Sequence, residues 1–208
     1  MTASQGAEAR PYHHGDLRRA LVDAARRILE SEGLVSLSLR AVAREAGVSP
    51  AAPYHHFKDK AELLAAVATE GWAMLEDMLR QTRAATPRGQ ALAPLGMAYV
   101  TFARANPALY RVMCDTAREH EVLPDRADPE TGGAYGQLRA ALAEAGHEQA
   151  ATLELDLAAI AAWSAAHGLA DVGGFAMFDP LRAALGGEAA FLEGVFREMG
   201  VLAGHAPA

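Results

Sequence analysis

Cysteine is nearly absent: the 208-residue chain has one, Cys114. That excludes an internal disulfide framework and leads to the expectation of a reducing compartment. Long uncharged apolar runs are missing as well; the longest, residues 157–170, falls short of the roughly 20 residues needed to span a bilayer. Residues 1–10 are polar and lack the apolar core of a secretory signal. A cytoplasmic protein with no membrane partner is therefore expected. Alternating β-branched runs are lacking, which leaves no candidate strands. No Ser/His/Asp order, phosphate-binding glycine loop, HExxH pair or metal-spaced cysteine set occurs, so neither enzymatic activity nor a cofactor is expected.

What the chain does have is Ala, Leu, Glu and Arg in helical periodicity, with 51% hydrophobic residues, enough for a real core. The expected fold is all-α, with about nine helices. The net charge of −7 is unevenly spread. Up to Lys60 there are nine Lys and Arg against seven Asp and Glu, with four histidines; beyond it, ten stand against nineteen. An acidic body with a mildly basic head fits a molecule that meets phosphates at one end only. Residues 1–60 are thus expected to form one domain, with 1–11 as a flexible arm, and 61–208 another, with 204–208 loose.

The first helix should cover 15–32, with Leu17, Leu21, Ala25 and Ile28 as its buried stripe and Gly33 as its stop. Ser38 is placed to cap a second helix burying Leu39, Val42, Ala43 and Ala46. Gly47 should end that helix, with Val48 folding back onto it. Ser49 should cap a short third helix with Pro50 at its first position, and Pro53 should tighten its first turn. Asp59 should cap a long fourth helix carrying Leu64, Val67, Gly71, Met74, Leu75 and Met78, which stops before Pro87. Further helices are expected at about 90–105, 107–119, 130–145, 149–173 and 188–202, with a loop at 120–134.

Residues 37–57 therefore make two short helices joined by a tight glycine turn. That is helix-turn-helix architecture, whose second helix enters the DNA major groove amino end first. Free amides near residues 49–52 would favour phosphate there. The adjacent pairs His13-His14 and His55-His56 diverge by about 100° on a helix, so no metal site is expected.

These motifs carry a resemblance. Tyr12-His-His-Gly-Asp-Leu-Arg18, Leu39-Arg-Ala-Val-Ala-Arg-Glu-Ala-Gly-Val-Ser49 and Tyr54-His-His-Phe-Lys-Asp-Lys-Ala-Glu-Leu-Leu64 occur together at the spacing of one domain. Residues 12–67 resemble the DNA-binding domain of the tetracycline-repressor (TetR) family of bacterial regulators. The resemblance implies a three-helix head joined by the long fourth helix to a helical ligand-binding and dimerisation domain. It implies that Ser38 and Arg40 meet phosphate or a groove edge. Pro50, Ala51 and Ala52 would face bases, with direct hydrogen-bond readout left to Arg40 or Ser49. Tyr54, His55, His56 and Lys60 would contact the sugar-phosphate backbone, with Lys58 nearby. Pro53 departs from the family's branched aliphatic residue, which shifts weight to readout of DNA shape. Arg40 has a second reading as an ordinary solvated helix residue.

In the body, Trp163-x-x-x-His167-Gly168 resembles the Trp-His-Gly (WHG) signature of one subgroup. The pair either lines an effector pocket or packs the core. Candidates for a pocket holding an unknown small-molecule effector are Trp72, Met78, Met97, Phe102, Tyr110, Met113, Trp163, His167 and Phe175, with Cys114 and Phe178 beside them. Helical spacing alone fits plain core equally. The family places its last two long helices in a dimer bundle, here about 149–173 and 188–202; ordinary intrachain core is the alternative for their apolar faces. The implied function is a homodimeric repressor released from a palindromic operator by its effector. A sequence-nonspecific DNA-binding protein and a helical small-molecule enzyme are the alternatives.

Overall fold

The computed structural model describes residues 14–119, 133–147 and 152–202. The expected arm at 1–11, the loop at 120–132, residues 148–151 and the end 203–208 lie outside them, as do Tyr12 and His13. Among the described residues every regular element is helical. None of these helices is long and apolar enough to cross a membrane. The chain forms two compact units, Met1–Val67 and Ala68–Ala208.

In the first unit, α1 (His14–Glu32) packs on α2 (Leu39–Glu45), and α2 packs on a single 3₁₀ turn, Ala52–His55. Leu21, Ala25 and Ile28 are buried as the periodicity requires, joined by Val22, Ala24 and Leu29. The Ala41 N–H donates to Ser38 Oγ at 3.1 Å, closing the amino end of α2; such a cap contributes about 1 kcal/mol. At the other end Gly47 takes φ +69°. The Val48 N–H reaches the Ala43 carbonyl at 2.9 Å and the Gly47 N–H the Arg44 carbonyl at 3.2 Å. This pair of bonds is the Schellman closure, and a left-handed residue makes it possible.

The third helix departs from expectation. Ser49 supplies no side-chain cap and Pro50 does not start a helix. Instead the Ser49 carbonyl accepts the Ala52 N–H at 3.0 Å, and a four-residue 3₁₀ turn follows. Pro53, buried within it, lacks an N–H and has φ fixed, which suits one tight turn and not a longer α-helix. The long helix α3 (Lys60–Ala85) follows. Asp59 Oδ1 accepts the Glu62 N–H at 2.9 Å while Glu62 Oε2 accepts the Lys58 N–H at 2.7 Å. This reciprocal box fixes where α3 begins. Its buried stripe is Leu63, Val67, Ala68, Gly71, Trp72, Leu75 and Leu79; Leu64, Met74 and Met78 are only half-buried.

The second unit is built from the rest of α3 with α4 (Leu92–Ala105), α5 (Pro107–Glu119), α6 (Gly133–Leu142), α7 (Thr152–Val172), α8 (Asp179–Leu185) and α9 (Glu188–Leu202). A π-helical turn, Ala143–His147, follows α6. α7 packs against α4 and α6, and α9 against α4. Helix α8 was not expected. Pro180 looked like a breaker, but it stands in the first turn, where its missing N–H costs nothing, and Gly186 ends the helix in the left-handed region. The Arg182 guanidinium donates to the carbonyls of Gly173 at 2.6 Å and Phe175 at 3.1 Å, tying down the turn between α7 and α8.

Candidate nucleic-acid interface and aromatic cluster

The turn Ala52–His55 packs against α2 with Pro53 buried, while Tyr54 and His55 are exposed. Phe57 is 1% exposed, its N–H donates to the Pro53 carbonyl at 2.9 Å, and Val42 and Pro53 are buried as well. The Arg18 guanidinium lies 5.1 Å from the Phe57 ring centroid. Arg27 and Glu45 pair at 2.8 Å between α1 and α2, an exposed pair worth about 0–1 kcal/mol. Ser49, Pro50, Ala51, Tyr54, His55 and Lys58 are exposed, and Ala52 and His56 are partly so.

The remaining sequence-predicted residues flank this tip. Arg40 is exposed and has no ion pair among the described residues. Ser38 Oγ accepts from Ala41 N–H, so its hydroxyl hydrogen is the part left to donate outward. Lys60 is partly buried, and its ammonium donates to the Leu34 carbonyl at 2.9 Å, tying the loop after α1 to the start of α3. The expected row of free amides at 49–52 is shorter than anticipated. Pro50 has no N–H and the Ala52 N–H is taken by Ser49, which leaves Ser49 and Ala51.

In the second unit five helices bring aromatic side chains together. Trp72 of α3 stacks on Trp163 of α7 with ring centroids 6.1 Å apart. Tyr99 of α4 and Tyr135 of α6 meet Trp163 edge-on at 5.1 and 6.0 Å. His167 lies one turn beyond Trp163, and its Nδ1 is 3.0 Å from the Tyr99 hydroxyl and 2.7 Å from that of Tyr110 on α5. The two hydroxyls are 3.2 Å apart. Burial pushes both phenols above the ordinary tyrosine range, so they remain protonated donors. Burial likewise raises the Cys114 thiol, which keeps it un-ionised at neutral pH.

Of the residues singled out from the sequence, the cluster contains Trp72, Tyr110, Trp163 and His167, with Met113 close by: a Cβ on Gly71 would lie 2.6 Å from its sulfur. Phe102 is buried in the unit's core and Met78 is only half-buried. Met97 and Phe178 belong elsewhere, around Val100, Leu169, Phe191 and Leu192. Phe175 is 54% exposed and stands on the turn that Arg182 pins. Tyr99 and Tyr135 were missed. Tyr99 did carry a signal, lying four residues after Leu95 and three before Phe102 on the buried face of α4.

Residues 21–67 match the model of bacterial regulatory proteins of the tetR family, and residues 92–192 that of a tetracyclin repressor-like C-terminal domain. Among solved structures, a protein of unknown function from Rhodococcus sp. RHA1 is 31% identical, with a TM-score of 0.67 over 89% of this chain and 94% of its own. BioQ of Mycobacterium smegmatis is 22% identical, with a TM-score of 0.60 over 94% of this chain and 100% of its own. The fatty acid degradation regulator FadR of Bacillus halodurans is 16% identical, with a TM-score of 0.52 over 76% and 84%. These last two share the fold.

Proposed function

The chain belongs to the tetracycline-repressor family of DNA-binding transcription regulators, and from that premise we propose that it is a homodimeric repressor released from a palindromic operator by a small-molecule effector. The observation that carries the reading is that residues 49–51 are exposed and Ala52 partly so, while Val42, Pro53 and Phe57 around them are buried. Residues 1–60 read DNA, and 61–208 bind effector and dimerise. Pro50, Ala51 and Ala52 face bases and offer van der Waals contact only, so hydrogen-bond readout falls to Arg40 and Ser49. Ser38, Tyr54, His55, His56, Lys58 and Lys60 engage the backbone, each through a side-chain donor.

Dimerisation is assigned to the apolar residues left outside the fold. Leu153, Leu157, Ile160 and Val172 recur along α7 and are 45–70% exposed; Met177, just before α8, and Leu181 and Leu185 within it are 45–73% exposed. α9 contributes less than the sequence implied, since Phe191 and Leu192 are buried within the chain. Effector binding is assigned to the aromatic cluster. α3 carries Trp72 and also begins at the Asp59–Glu62 box behind the reading tip, so a ligand favouring another setting of α3 lowers DNA affinity. A coupling of about 1–3 kcal/mol corresponds to 5–150-fold.

Selection from a pool of random duplexes by the purified chain tests this reading. Enrichment of one inverted repeat is expected. A pool that stays random while still binding supports the sequence-nonspecific alternative, and a pool that is never retained removes the DNA-binding assignment.

A further inference from the structure

One donor in the aromatic cluster is left over. Trp72 is 6% exposed, yet its Nε1 is buried and has no hydrogen-bond partner among the described residues. A buried donor without an acceptor lowers stability, and indole N–H can only donate. Three polar atoms of the cluster are engaged with one another: the hydroxyls of Tyr99 and Tyr110 and His167 Nδ1 form a triangle with sides of 2.7–3.2 Å. Trp163 is stacked on Trp72, and the Leu109 and Met113 side chains pack against neighbouring Gly71.

The charged groups that act on Cys114 and the two phenols, Asp115, Arg118 and Asp171, stand at the surface. Asp171 and Asp115 oppose ionisation of Cys114 and Arg118 favours it, but Arg118 is paired with Asp115 at 3.0 Å. Asp171 also opposes ionisation of both phenols. A carboxylate brought into the cluster would be desolvated among aromatic rings, with no Lys or Arg among the cluster's members. A ligand offering only donors would leave the indole N–H unsatisfied.

Resting on the reading of this cluster as an effector site, we infer that the effector is an uncharged aromatic molecule whose carbonyl or ether oxygen accepts the Trp72 Nε1 hydrogen, and that carboxylates are rejected. Aromatic rings supply the complementary surface, and the single acceptor fixes the orientation.

Three naphthalenes of similar size separate the terms: 2-acetonaphthone with a neutral acceptor, 2-ethylnaphthalene with none, and 2-naphthoate with a carboxylate. Calorimetric titration of the full chain should give 2-acetonaphthone about tenfold tighter binding than either of the others, the scale of one buried hydrogen bond. The chain has two tryptophans, so its 15N spectrum should carry two indole N–H signals. The signal assigned to Trp72 should move downfield with the ketone and not with the hydrocarbon. In Trp72→Phe, which keeps a ring and removes the N–H, the ketone and hydrocarbon should bind equally.

Tightest binding of naphthoate, a native chain that binds none of the three, or an unmoved Trp72 signal overturns the inference, even if the variant does not fold. A ketone preference that survives in folded Trp72→Phe does the same. Fluorescence anisotropy of labelled operator keeps the two readings apart. A probe that binds as ranked but leaves DNA bound contradicts effector release alone. Release by a carboxylate that binds at the cluster contradicts the acceptor rule alone.

Discussion

Tyr54 is the residue whose contribution to DNA binding can be isolated most cleanly, because it is 54% exposed while the core beneath it is closed by Phe57. Tyr54→Phe should leave the melting temperature within error and weaken operator binding about 5- to 10-fold, the worth of one phosphate hydrogen bond. The loss should be uniform across operator sequences, since phosphate contacts carry no base information. Lys58→Ala should lower the slope of log affinity against log salt by about 0.9 per subunit. A second residue-scale prediction concerns alkaline pH. The fold holds the protons of Tyr110 and Cys114 more tightly than the unfolded chain, whose ordinary values are 10.0 and 9.0. Stability from these groups is complete below about pH 9 and is lost as pH rises, because the unfolded chain ionises first. Thermal melts at about pH 8 and about pH 10.5 should show a smaller alkaline loss in Tyr110→Phe than in the native chain.

At the scale of elements, the turn after α2 depends on one backbone conformation. A Cβ on Gly47 would meet nothing within 4 Å, so Gly47→Ala isolates the cost of φ +69°. Urea melts should show a loss of about 1–2 kcal/mol. Gly96→Ala tests close approach instead: a Cβ there would lie 2.4 Å from the Phe196 ring, which α9 brings onto α4. A loss of about 1–3 kcal/mol is expected from overpacking.

Elements with both a periodic stripe and a chemical end signal were legible in the sequence. Ser38, Gly47 and Asp59 mark ends that the hydrogen bonds reproduce, because caps are local interactions between neighbours in the chain. A short helix after Gly47 was expected, but it starts at Ala52, not at Pro50, and is a 3₁₀ turn. A cap and a proline at 49–50 suit an α-helix, while the second proline at 53 and burial of its ring select a single 3₁₀ turn. α8 was hidden because proline starts helices as well as stopping them. Of the aromatic cluster, Trp163 and His167 were legible from their i, i+4 spacing. Tyr99 and Tyr135 were not, since their approach to Trp163 depends on how α4 and α6 pack on α7.

On the scale of the whole molecule, dimerisation and DNA binding make one combined claim. If the exposed apolar face of α7 is an interface between copies, Leu157→Glu with Ile160→Glu should convert a two-chain particle in native mass spectrometry to a single 21.9-kDa chain. The helical circular dichroism should be retained, because both side chains are more than half exposed. The monomer should lose operator affinity far more steeply than Tyr54→Phe does, since two half-sites are no longer read together. Hydroxyl-radical footprinting on the selected duplex, comparing the native chain with Ala51→Asp, probes the reading tip itself. The native chain should protect two patches on one face of the duplex, about 34–36 Å apart or a little more, and Ala51→Asp should erase both by placing a carboxylate at the exposed tip. Protection that persists unchanged in the folded variant would contradict the claim that this tip enters the groove.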